Sequence, residues 1–239
     1  MSNADVRRNE RQPPSSPSDS HDPVPGIVDW ILGVLAGIAG LALTAVSVGL
    51  YTQVDRAAIR DAVIEQDIEP DRLTQLELIN AGEPFVDALA VGLGVTGLAL
   101  VGFAAAFVYM RRQTRHRVSR EGGTTATFVS CTVYGAAVGS LVSSIIPGLG
   151  ALVGGGIGAS LHDGDAGVRV GAMTGLVSFA ATLPLLVCLG IGAVAGGAAI
   201  SELGGGASIA GVIIISGLVG TAFNTGAGAV GGYLADRFA

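Results

Sequence analysis

Long apolar stretches broken by short charged ones constrain this chain more than any motif does. From Ile27 to Tyr51 the only charge is Asp29, and from Phe85 to Met110 the only one is Asp87. About 20 apolar residues cross the hydrocarbon core of a bilayer, and both stretches are longer than that. Charged residues make up 13% of the chain, about half of what a soluble domain carries. Together these features exclude a disordered chain and a soluble enzyme with an ordinary charged surface. Glycine is abundant, at 38 residues, but lacks the strict three-residue period of collagen. The expected fold class is an all-α membrane protein.

Six transmembrane helices are expected: Ile27 to Tyr51, Phe85 to Met110, Thr124 to Ile146, Leu149 to Leu161, Val170 to about Leu189, and Ala207 to Tyr233. The fourth is too short for a normal crossing and is short or re-entrant. If it were re-entrant, the two termini would fall on opposite sides. The fifth is expected to bend or end near Pro184. Residues 1–25 are polar and carry five prolines, which reads as a disordered cytoplasmic tail. No apolar run follows Arg7-Arg8 until Ile27, so a twin-arginine signal is not the reading.

Charge position supplies the topology. Arg111, Arg112, Arg115, Arg117 and Arg120 directly follow the second span, a strong cytoplasmic marker. They form a basic anchor, and the same charge suits anionic headgroups. Residues 52–84 are acid-rich and read as a cap of one or two short helices outside. Pro70 would open the second, Leu73, Leu76 and Ile79 would share a face, and Gly82 would end it. Six spans starting inside place both termini in the cytoplasm of a multi-pass cell-membrane protein. The organisation is then a tail (1–25), a two-helix hairpin with an acidic cap (26–121, cap 52–84) and a Gly-rich four-helix domain (122–239).

Residues 122–239 hold 28 of the 38 glycines. Helices in lipid gain nothing by hiding apolar surface, so they associate by close backbone packing, which small residues spaced four apart allow. Such pairs are Gly33/Gly37, Gly135/Gly139, Gly150/Gly154, Gly154/Gly158, Gly167/Gly171, Gly171/Gly175, Gly192/Gly196 and Gly228/Gly232. They predict a glycine-zippered bundle, within one chain or in a homo-oligomer. Gly150–Ala159 also resembles Gly226–Ala235, which suggests parallel repeats.

The run from Pro147 to Leu161, the Asp163-Gly-Asp-Ala-Gly link and the helix beginning Val168-Arg169-Val170-Gly171 resemble a glycine-rich haloarchaeal membrane family, domain of unknown function 5518. The likeness spans about residues 124–235. Gly167 stands where the family pattern has an alanine. The resemblance implies a multi-span membrane protein of halophilic archaeal origin and no activity. All 13 basic residues are arginine against 19 acids, a balance that fits a salt-adapted genome.

Chemistry is sparse. Cys131 and Cys188 sit in apolar runs without metal-ligand spacing. Ser160 and His162 are two apart and point about 200° away from each other on a helix, so no dyad forms. No phosphate loop occurs, and the acid excess argues against nucleic acid. No catalytic residue, cofactor or metal is expected. The candidate polar pathway is His162, Asp163, Asp165 and Arg169, with Thr221 and Asn224 inside the last span. The first four are either a cytoplasmic turn with an Asp–Arg pair or a gate; the last two either bond between helices or line a pore. Asp29 and Asp87 read as interface residues at span entrances. The expected function is non-enzymatic packing, scaffolding or self-association in the bilayer, with a small-solute or ion transporter or channel as the alternative.

Overall fold

The computed structural model describes residues 24–65, 73–121, 123–146, 148–162 and 164–238. Among them the chain is helical, with no strand: α1 (Gly26–Gln53), α2 (Arg56–Glu65), α3 (Gln75–Glu121), α4 (Phe128–Ile145), α5 (Gly150–Ser160), α6 (Gly167–Ala180), α7 (Leu183–Ala199) and α8 (Leu203–Phe238). The tail expected over 1–25 lies almost wholly outside the described residues, as does Pro70. Four helices, α1, α3, α4 and α8, are long and apolar enough to cross a membrane, and α6 with α7 makes a fifth if the pair is one span.

The stretch expected as a cap (52–84) is not separate from the second apolar stretch, because α3 begins within it at Gln75. Asp55 starts α2 by accepting from the Ala58 amide at 2.9 Å. Thr74 and Glu77 start α3 with a capping box. The Glu77 carboxylate accepts from the Thr74 amide at 2.8 Å, and the Thr74 hydroxyl accepts from the Glu77 amide at 3.2 Å. That reciprocal pairing satisfies two orphan donors, and its hydrogen bonds hold the Glu77 carboxyl below its usual range. Gly82 does not end the helix. It faces Ile59 of α2, and α3 continues through Pro84 and the whole apolar stretch into the basic run. Arg56 of α2 donates to Asn80 and lies 4.0 Å from Glu83, tying α2 to this extension.

The bend near Pro184 is where the sequence places it. The break falls at residues 181–182, Pro184 lies in the first turn of α7, and the two axes differ by 42°. A proline there lacks only an amide that has no intrahelical partner anyway. The bent α6–α7 pair runs antiparallel to α8: Gly171 lies against Gly228, Gly175 against the Asn224 carbonyl, and Gly197 against Gly206.

Several interfaces bring backbone onto backbone. A methyl group at Gly97 would come within 2.5 Å of the Gly40 carbonyl, joining α1 and α3. One at Gly135 would come as close to the Gly154 carbonyl, joining α4 and α5, and one at Gly196 within 2.6 Å of the Ala81 carbonyl, joining α7 and α3. The repeat-like segments of α5 and α8 pack on each other, with Gly155 against Gly228. The exterior is apolar. The most apolar window of α1 is 6% buried, since α1 packs chiefly against α3, and Leu35, Ile38 and Leu41 lie exposed.

Candidate functional site: a buried carboxylate held by two arginines

Antiparallel packing of α1 on α3 sets the first turn of α1 beside the point where α3 becomes basic. α4 covers that junction. Asp29 is buried there, only 4% exposed, a contact role that its position at a span entrance does not announce. Its Oδ1 accepts from Arg111 Nε at 3.1 Å and from the Tyr134 hydroxyl. Its Oδ2 accepts from Arg115 Nε at 3.0 Å, with Arg115 Nη2 at 2.9 Å. A carboxylate offers about four acceptor positions, and protein donors approach all four.

The donors are held in turn. Arg111 is buried, and its Nη1 donates to the Thr125 carbonyl at 2.5 Å. Its guanidinium sits 5.6 Å from the Tyr134 ring centre. Arg115 Nη2 donates to the Val24 carbonyl at 3.0 Å. Phe107 meets the Tyr134 ring edge-on at 6.0 Å. Three helices and both flanking loops therefore converge on one carboxylate.

The basic anchor thus divides. Arg111 is internal and Arg115 partly so, because α4 folds over the end of α3. Arg112, Arg117 and Arg120 remain exposed, and the Arg112 guanidinium lies 5.8 Å from the exposed Trp30 ring. Tyr134 and Thr125 carry no sequence signal for this role. The Asp29–Arg111 pair does carry one: a lone acid opens one apolar run and a base closes the next.

Among the described residues, no hydrogen bond or ion pair joins the members of the candidate polar pathway to one another. Asp163 lies outside the described residues. Asp165 and Arg169 are exposed, and no ion pair joins them. The His162 ring stands edge-on to Phe128 at 6.2 Å, with its Nδ1 buried and unbonded. Thr221 and Asn224 bond back to their own helix, to the Gly217 and Gly220 carbonyls, each at 2.8 Å. They form no bond between helices, because a carbonyl one turn back is always within reach. A cleft beside the carboxylate, lined by Val24, Arg111, Thr125, Ala126, Cys131, Tyr134 and Leu161, is too tight to admit a water-sized sphere. No cluster of metal-ligating side chains occurs among the described residues.

The chain matches no family model, no curated protein and no solved structure.

Proposed function

We propose that this is a multi-pass membrane protein whose role is packing, scaffolding or self-association rather than catalysis or transport. The observation that carries the reading is the close backbone packing of the helices. Glycines set backbone against backbone between α1 and α3, α4 and α5, and α6 and α8, and the cleft at the buried carboxylate has no room for water. Contacts of this kind are how helices associate in lipid, which supports a glycine-zippered unit. The carboxylate uses its acceptor positions on protein donors, so it acts as a staple and not as a base. Gly37, Gly204, Gly211 and Gly226 have nothing against them, leaving small-residue positions free for a second copy.

In the orientation we propose, the exposed arginines of α3 and the two termini face the cytoplasm, and the acidic cap faces outward. Basicity supplied by arginine alone, against an excess of acids, also supports a salt-adapted, haloarchaeal origin. One observation favours a transporter instead: ionisable groups buried in a membrane bundle usually mark a pathway, and Asp29 with Arg111 is such a pair. Purified protein reconstituted in liposomes separates the two. The scaffold reading expects no ion or solute flux above empty vesicles, together with self-association by cross-linking in native membranes. Flux from a protein that stays monomeric would overturn it.

A further inference from the structure

The hairpin of α4 and α5 is the element whose shape least fits a pair of crossings. α5 has 11 residues, about 16 Å of helix, against a hydrocarbon core of about 30 Å. It pairs in register with α4: Gly150 lies against Gly139, Gly154 against Gly135, and Gly158 against the Cys131 carbonyl. The matched part of the hairpin is therefore only as tall as α5.

Its neighbours place it at one end of the bundle. Gly155 and Gly156 meet Gly228 and Gly231 in the last third of α8, and Gly135 meets Thr174 of α6. Further along α8, Leu186, Gly190 and Gly197 of α7 take over, against Gly217, Ala210 and Gly206. The chief neighbours of α7 are α3 and α8. The hairpin fills the end that holds the basic residues, and α7 fills the other.

The tip has the wrong chemistry for water. Ile145 is 80% exposed, Ile146 51% and Leu149 47%. No charged residue occurs between Glu121 and Asp163. The other links on the far side differ: residues 54–74 are rich in acids, and Glu202 marks the turn between α7 and α8. An uncharged turn with three exposed large aliphatics suits hydrocarbon. Backbone polar groups at that depth must be satisfied within the protein, and the turn bonds its own: the Ile146 amide donates to the Val142 carbonyl at 2.8 Å and the Leu149 amide to the Ile146 carbonyl at 3.3 Å.

We propose that α4–α5 is a re-entrant hairpin that enters from the arginine-rich face and turns inside the bilayer, with Ile145, Ile146 and Leu149 seated on lipid acyl chains. The complete crossings are then α1, α3, the bent α6–α7 pair and α8. Because both legs belong to the hairpin, Glu121 and His162 stay on the same side, and the termini still share one side. A re-entrant fourth segment therefore does not separate them.

The inference rests on the membrane orientation proposed above, and the test keeps the two apart. Single cysteines are placed at Ile145 and Leu149, with Ser201→Cys and Ala57→Cys as outer controls and Ser119→Cys as an inner one. Native-membrane vesicles of known sidedness are treated with a water-soluble maleimide, and the unsubstituted chain supplies the background of Cys131 and Cys188. The controls should label from opposite sides. I145C and L149C should label at least about tenfold more slowly than S201C from either side, since the reactive thiolate does not form in hydrocarbon. All should label equally after denaturation in dodecyl sulfate. A nitroxide at either tip position should be accessible to oxygen and not to a polar nickel chelate. Rapid tip labelling from the outer side, with the controls as expected, overturns the hairpin alone. Controls that label from one side overturn the orientation itself.

Discussion

Replacing Asp29 with asparagine leaves the shape of the junction almost unchanged and removes the one negative charge that two guanidinium groups share. Arg115 is part-exposed, its side chain at 28%, so it can turn toward solvent. Arg111 cannot. Its side chain is 5% exposed, and its other contacts, the Thr125 carbonyl and the Tyr134 ring, do not neutralise a charge. Leaving one partner of a buried pair unmatched costs about 3–5 kcal/mol. For a chain of this size each kcal/mol is worth roughly 2–4 °C of melting temperature, so the expected fall is about 6–20 °C. Cys131, 1% exposed, reports the transition in detergent through a thiol-reactive dye on heating. The companion is Asp29→Leu with Arg111→Met. Removing both charges of a buried pair is often neutral or better, so this double variant should melt well above Asp29→Asn. If Asp29→Asn melts within about 2 °C of the parent, under 1 kcal/mol on the same scale, or the double variant melts below it, the cluster is not a buried, charge-matched staple.

Four further outcomes follow from the hydrogen bonds and close packing described above. Tyr134→Phe removes a hydroxyl that donates to the carboxylate and should cost about 1.5–3 kcal/mol in the same melt; an unchanged melt would mean the phenol bond is idle. A methyl group at Gly154 would come within 2.9 Å of the Gly139 Cα, whereas one at Gly226 would meet nothing within 4 Å. Gly154→Val should therefore cost at least about 1–3 kcal/mol and Gly226→Ala less than about 0.5 kcal/mol, and equal losses would refute the close-packing account. Thr74→Ala removes the cap of α3 and should cost about 0.5–2 kcal/mol, read as faster amide exchange over residues 75–78. The Glu77 carboxyl is held below its ordinary value of 4.5. Its contribution is present above that value and is lost as pH falls through the lower folded one. Protection of those amides, after correction for the intrinsic pH dependence of exchange, should fall on acidification below pH 4.5 in the parent and change little in Glu77→Gln.

The acidic cap and the candidate pathway show where reading along the chain stops working. Gly82 and Pro84 are both stop signals in isolation, but the Thr74–Glu77 box starts a helix that runs through them, supported by Arg56 on Asn80 and Glu83. Arg111 and Arg115 are legible as a basic run from their place beside an apolar one. Their second role depends on an acid 82 and 86 residues away. Asn224 is polar at a suggestive place, yet its amide finds the Gly220 carbonyl within its own helix.

By itself the sequence determined the helical, apolar character of the chain, the bend near Pro184 and the position of each charge relative to the apolar stretches. Those properties come from composition and short-range periodicity, which local backbone chemistry reads directly. Tertiary structure alone decided that Asp29 meets Arg111, Arg115 and Tyr134, that α5 lies in register along α4, and that the hairpin fills one end of the bundle. The physical reason is the sameness of the helix faces. A soluble helix announces its inner side by a polar outer one. Here both sides are apolar, so the facing partner is chosen by close backbone fit and by one buried ion pair, neither of which has a period along the chain.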